Sequence, residues 1–212
     1  MPKKIIFTRE EVIEAAFELF KHEGMEGVSA RKIAARLNSS TAPVYTCFSN
    51  IEEIKGILLE KSLKLLLTYT EQEYTPDIFL NIGVGMLEFA KEYRIIYRTL
   101  FIESNSYQHI LDEFTAKNLL QMKKEKSLGI LSEEDLKIIL EKLTVYTHGM
   151  ASFICAGMIE DTSREYLIKT LEDVGTDIIG ATALRRGKLE EFLEFQRDGG
   201  ECNEKNNHHK RS

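Results

Sequence analysis

Tryptophan is absent from this chain, and proline and cysteine occur only three times each in 212 residues. Scarce proline leaves long helical stretches unbroken, and the abundance of Leu, Ile, Glu and Lys tilts the expectation toward an all-α fold. Cys47, Cys155 and Cys202 are odd in number and far apart. They exclude a disulfide framework and a paired-cysteine metal site, and read as free thiols. No apolar run approaches the ~18 residues that a spanning helix needs. The N-terminus has no apolar core followed by small residues, so no secretory signal is expected. These absences predict a soluble, cytoplasmic protein with no membrane partner. Also missing are a Ser/His/Asp constellation, HExxH and a glycine-rich phosphate loop. The expectation is therefore no catalytic residue, no metal, no cofactor, and not an enzyme. His208 and His209 have no further ligand pattern around them and read as solvated.

Charge of one sign is not in large excess. The net charge is −6, with 43% hydrophobic and 29% charged residues, which excludes global disorder. Distribution matters more than the sum. Met1–Asn50 holds 7 Lys/Arg against 6 Asp/Glu, a balance of +1, so the remaining residues carry −7. The bases Lys3, Lys4, Arg9, Arg31, Lys32 and Arg36 fall in an N-terminal arm, a helix start and a second helix.

The pattern turns helical at Thr8, where Val12, Ala15, Ala16, Leu19 and Phe20 recur at spacings of three and four. Thr8 with Glu11 fits a capping box, and Gly24 and Gly27 interrupt the pattern. Ser29 can cap a short helix over Ala30–Leu37, followed by the polar turn Asn38-Ser39-Ser40. A third helix is predicted from Thr41 to Phe48, with Pro43 in its first turn, where a missing N–H does no harm. Three helices with a tight turn between the last two are the helix-turn-helix layout. A longer helix follows from Asn50 or Ile51 to Thr70, with a boundary at Thr75 and Pro76. Further helices are predicted over 77–92, 93–102, 106–126, 133–159 and 163–186, with a weaker one over 188–197. The tail Asp198–Ser212 is polar and predicted to be disordered.

Phe17-Glu18-Leu19-Phe20, Gly24, Gly27-Val28-Ser29, Ile33-Ala34, Leu37, Ser40 to Phe48, and Asn50-Ile51-Glu52-Glu53-Ile54 together resemble the TetR family of regulators. The resemblance implies an N-terminal three-helix DNA-binding domain over 1–50. A larger helical ligand-binding and dimerisation domain would occupy 51–197, with 51–70 as the linking helix. A recognition helix presents its N-terminal residues to base edges while neighbouring residues hold phosphates. Candidate DNA contacts are Arg31 and Lys32 on the second helix, and Ser39, Ser40, Thr41, Ala42, Tyr45 and Thr46 at and after the turn. The bases supply salt-sensitive attraction, the small side chains permit close approach, and Tyr45 resembles the family tyrosine that contacts the backbone. Two positions depart from the family. Cys47 stands where histidine or an aromatic is usual, and Ile51 where lysine is common. The second departure removes a phosphate contact and leaves the helix terminus itself to serve.

The resemblance further implies a homodimer on a double-stranded DNA operator, with a small-molecule effector. The helices over 133–159 and 163–186 are the candidate interface, because Gly149, Ala151, Ser152, Ala156 and Gly157 allow close approach. Phe79, Met86, Phe89, Phe101 and Tyr107, with Phe114, Met122, Tyr146, Met150 and Phe153, form an aromatic and methionine-rich set suited to lining an apolar pocket. Ordinary core packing is the competing explanation for each. The competing function is a helical interaction module whose helix-turn-helix is degenerate and which acts through protein partners.

Overall fold

The structure is a computed structural model describing residues 7–103, 108–124 and 128–195. The arm Met1–Ile6, Tyr107, the Phe114 side chain and the tail with Cys202, His208 and His209 lie outside the described residues. Among the described residues there is no strand, so the all-α expectation holds.

Helix α1 (Arg9–Glu23) starts on the expected capping box: the Thr8 hydroxyl accepts the Glu11 N–H, and the Glu11 carboxylate accepts the Thr8 N–H. A single 3-10 turn over Met25–Gly27 leads to α2 (Ala30–Arg36), capped by Ser29, and then to α3 (Ala42–Cys47). The linking helix α4 (Ile51–Thr70) is capped by the Asn50 amide oxygen. Asp77 starts α5 (Ile78–Glu92) by accepting the N–H groups of Phe79 and Leu80. Next come α6 (Arg94–Phe101), α7 (Gln108–Met122), α8 (Glu133–Ala156) and α9 (Arg164–Arg185), with a further helical stretch over 189–195. Helix α8 stops three residues short of the expected Ile159. Gly157 takes φ +71 there, and the N–H groups of Gly157 and Met158 turn back to the carbonyls of Ile154 and Phe153.

The described residues pack as two compact units. Those within Met1–Gln72, Gly85–Tyr107 and Ala151–Glu160 form the first; those within Glu73–Val84, Gln108–Met150 and Asp161–Ser212 form the second. In the first unit α1 buries Val12, Ala16 and Phe20 completely, joined by Ile33, Val44, Ile54 and Leu58. Each large apolar side chain so buried contributes roughly 1.5–3 kcal/mol, which lets helices as short as α2 and α3 persist. The second unit is centred on Met122, Leu128, Leu131, Leu136, Ile139 and Leu140. Its loop before α5 is held by Asn81, whose amide oxygen accepts the Thr75 N–H at 2.8 Å and whose amide donates to the Thr75 carbonyl. Arg186, after α9, grips Asp135 near the start of α8 with two nitrogens at 2.8 and 2.7 Å.

Candidate nucleic-acid interface

The turn between α2 and α3 has a defined local cause. Asn38 adopts φ 51, a left-handed conformation that asparagine tolerates better than most residues. The Ser39 N–H then reaches the Ala34 carbonyl at 2.9 Å and the Asn38 N–H the Ala35 carbonyl at 3.1 Å. That pair of bonds is a Schellman closure, which ends α2 and turns the chain sharply into α3.

Helix α3 has two unlike faces. Val44 is buried and Phe48, just past its end, is buried beside it. Thr41, Ala42, Tyr45 and Thr46 are exposed, Tyr45 by 57%. Their positions i, i+1, i+4 and i+5 place them on one outward stripe. The Thr41 side chain makes no capping bond to α3. Thr46 donates to the Ala42 carbonyl and Ser39 to the Ser40 carbonyl, so these two hydroxyls spend their protons within the chain and can offer a ligand only lone pairs. Ser40 is exposed and Ser39 half-buried.

The basic side chains of α2 are less available than their sequence positions suggest. Arg31 is exposed with no ion pair among the described residues, whereas Lys32 is paired with Glu23 at the end of α1. Arg36 lies 3.6 Å from Glu18, which also pairs with Lys21. The Glu18 carboxyl is held below the usual carboxylate range, first by the Lys21 hydrogen bond and then by the charges of Lys21, Arg36 and His22, against the opposing pull of burial. These partners lie outside helical i,i+4 spacing for α2, so no sequence pattern announced them.

The start of α4 is already occupied. Asn50 takes the Glu53 N–H at 2.9 Å, and the Glu53 carboxylate takes the Ser49 N–H at 2.8 Å. With Glu52 and Glu53 in its first turn, this terminus is acidic and poorly suited to hold a further anion. The Glu53 carboxyl is lowered, chiefly by the Ser49 N–H and next by Arg9. Arg9 and Glu53 were not among the residues singled out for the site. Cys47 is half-buried, with its Sγ 3.5 Å from the Phe7 carbonyl.

The aromatic and methionine set is divided between the units. In the first, Met86 and Phe89 are buried, Phe101 is half-buried with its ring 4.9 Å from that of Tyr97, and Phe153 is 52% exposed. In the second, Met122 lies in the apolar cluster that includes Leu128 and Leu140, with Phe79 packed against it, Met150 is buried and Tyr146 half-buried. Around Phe89 the structure adds groups that periodicity did not single out. The Tyr69 and Tyr93 rings lie 5.7 and 5.5 Å from it, and the Tyr69 hydroxyl donates to Glu92. Burial, and then that carboxylate, push the Tyr69 phenol far above its ordinary range.

Comparison with known proteins places the geometry. Residues 12–54 match the family of bacterial regulatory proteins, tetR family. An uncharacterized HTH-type transcriptional regulator, YvkB of Bacillus subtilis (strain 168), is 25% identical over 111 residues, covering 51% of this chain and 58% of that protein. The match thus spans little more than half of the relative's length. A TetR-like transcriptional regulator from Rhodococcus sp. RHA1 superimposes with a TM-score of 0.60 at 16% identity, over 82% of this chain and 96% of that one. SmeT, the repressor of the Stenotrophomonas maltophilia multidrug efflux pump SmeDEF, gives 0.52 at 18% identity, over 84% and 90%. At these identities the two structures establish the fold: an N-terminal helix-turn-helix followed by a helical domain. None of these relatives is named as an enzyme.

Proposed function

By its N-terminal domain the chain belongs to the tetR family of bacterial regulatory proteins, and from that premise we propose that it is a repressor that binds a palindromic operator as a dimer and is released by a small, largely apolar effector. The observation that carries the DNA-binding part is the outward stripe Thr41, Ala42, Tyr45 and Thr46 on α3, set over buried Val44 and Phe48. Thr41 and Ala42 stand at the end of α3 that enters a major groove, where a hydroxyl can meet a base edge and a methyl can meet thymine. Tyr45 and Arg31 hold phosphates, and Ser39, Ser40, Thr46 and Lys32 flank them. Residues 1–50 read DNA, residues 51–197 regulate, and 51–70 link the two. The intact turn at Asn38 and the exposed α3 stripe do not favour a degenerate motif acting only through protein partners.

Dimerisation is supported by α8. Ile138, Val145 and Phe153 recur about every two helical turns and are 38%, 69% and 52% exposed. On the same stripe, Gly149 has open space where a Cβ would stand. On α9, Tyr166 and Leu184 are likewise exposed. A two-fold pair doubles the base contacts of a recognition helix only six residues long. Repression follows the role named for SmeT. The effector works only through unequal affinity for two arrangements of the DNA-reading helices. The site of action is the cytoplasm, and no helix among the described residues is long and apolar enough to cross a membrane.

The test is selection of duplexes from a random pool, followed by a mobility shift on the enriched sequence across salt concentrations. An inverted repeat is enriched, and its affinity falls steeply as salt rises. Tyr45→Phe weakens binding to every sequence, whereas Thr41→Ala changes which sequences are enriched. Failure to enrich any sequence sinks the operator reading.

A further inference from the structure

Arg9 is the first residue of α1, fixed there by the Thr8–Glu11 capping box. Its guanidinium faces the joint between α3 and α4 and meets it at three points. Nη1 donates to the carbonyl of Cys47, the last residue of α3. Nη2 donates to Glu53 Oε1 at 2.9 Å, in the first turn of α4. The guanidinium carbon sits 4.1 Å from the centre of the Phe48 ring. Glu53 divides its two oxygens: one takes Arg9, the other the N–H of Ser49 in the joint itself.

The carbonyls at a helix end have no partner within the helix, and a six-residue helix has few bonds of its own to hold its axis. Phe48 takes extended backbone (φ −138, ψ 142), so the chain leaves α3 at a sharp angle. What sets that angle from outside is a planar fork able to donate in two directions while stacking on a ring, which an ammonium group cannot do. We propose that Arg9, working through Glu53 and the Cys47 carbonyl, is the positioning residue that fixes the end of the recognition helix against α1 and α4, and so sets sequence preference without touching DNA. This rests on the operator reading above.

Simple electrostatics predicts the opposite for one variant, and that opposition makes the test. Removing the negative charge of Glu53 should tighten binding to any duplex if charge alone matters. If Arg9 and Glu53 position α3, Glu53→Gln instead weakens binding to the selected duplex, because an amide has one oxygen where two are used. The measurement is fluorescence anisotropy of full-length wild type, Arg9→Gln, Arg9→Lys, Glu53→Gln and the double variant Arg9→Gln/Glu53→Gln. Each is titrated with the enriched duplex and with a scrambled duplex over a salt series, with helical circular dichroism as the check on folding. The expected result is a roughly tenfold fall in the selected-to-scrambled affinity ratio for each single variant, including Arg9→Lys, with no further fall in the double variant. The salt slope on the selected duplex stays at the wild-type value. A slope lower by about 0.9 per subunit in Arg9→Gln, with the ratio kept, makes Arg9 a phosphate ligand and overturns the proposal. So does tighter binding by Glu53→Gln, full rescue by lysine, or a ratio that moves only as far as the lost helicity. If the wild type enriches no sequence, the operator reading has failed first. If it enriches one and the variants keep the ratio, only the Arg9 assignment falls.

Discussion

Replacing Glu23 with Gln should tighten DNA binding, although it deletes an ion pair. Lys32 and Glu23 face each other with side chains 46% and 42% exposed, so the pair contributes roughly 0.2–1 kcal/mol to the fold. A phosphate that recruits Lys32 must first release it from Glu23, and in the variant that cost vanishes. The lost negative charge adds a second term. At ~10 Å in water it repels a phosphate by about 0.4 kcal/mol, and screening at physiological salt reduces this to about a third. The two terms together reach about 1 kcal/mol per subunit, a tightening of roughly fivefold at most for each subunit engaged. The fold should lose no more than the pair itself contributed. Because Lys32 becomes one more phosphate ligand per subunit, the slope of log affinity against log salt should steepen by about 0.9 per subunit, about 1.8 for the dimer. Anisotropy titrations of wild type and variant between ~50 and ~200 mM salt measure both quantities. An unchanged slope together with unchanged affinity would refute the idea that Glu23 withholds Lys32 from DNA, and weaker binding would refute it outright.

Gly85→Ala should destabilise the protein despite alanine's better helix propensity. A Cβ there would lie 2.3 Å from the Tyr69 carbonyl oxygen and 2.7 Å from the Thr70 Cα, both backbone atoms that cannot rotate away. The gain of up to ~1 kcal/mol in propensity is outweighed by an overpacking cost of roughly 1–3 kcal/mol, and the urea midpoint should fall. An unchanged midpoint counts against that close approach. Asn38→Ala, at φ 51, should lower stability by about 1 kcal/mol, while Asn38→Gly should not. Equal melting of the two variants removes the left-handed turn as the cause. Burial holds the His148 imidazole below its ordinary pKa, so the unfolded chain takes up its proton first as pH falls. Its contribution is whole above the unfolded value of about 6.5 and is lost as pH drops through the lowered folded one. Melting at pH ~7.5 and ~5.5 should therefore differ less in His148→Gln than in wild type, and an equal difference would exclude this histidine.

Much of this protein was written locally in its sequence. The capping box at Thr8 and Glu11, the caps at Ser29 and Asn50, and the polar turn at Asn38 act over three or four residues, and the starts of α1 to α4 follow from them. The stripe of Thr41, Ala42, Tyr45 and Thr46 was legible for the same reason, since helical periodicity alone sends those positions to one face. Tertiary structure decided what happens between helices. It joined Lys32 to Glu23, and Arg9 to Glu53, 44 residues apart. It also divided the aromatic and methionine residues between two units, packing Phe79 against the apolar cluster that holds Met122. A sequence states which side of a helix is apolar. The angle and register at which two such sides meet come from the packing of whole surfaces, and those decide which basic side chains remain open to a phosphate.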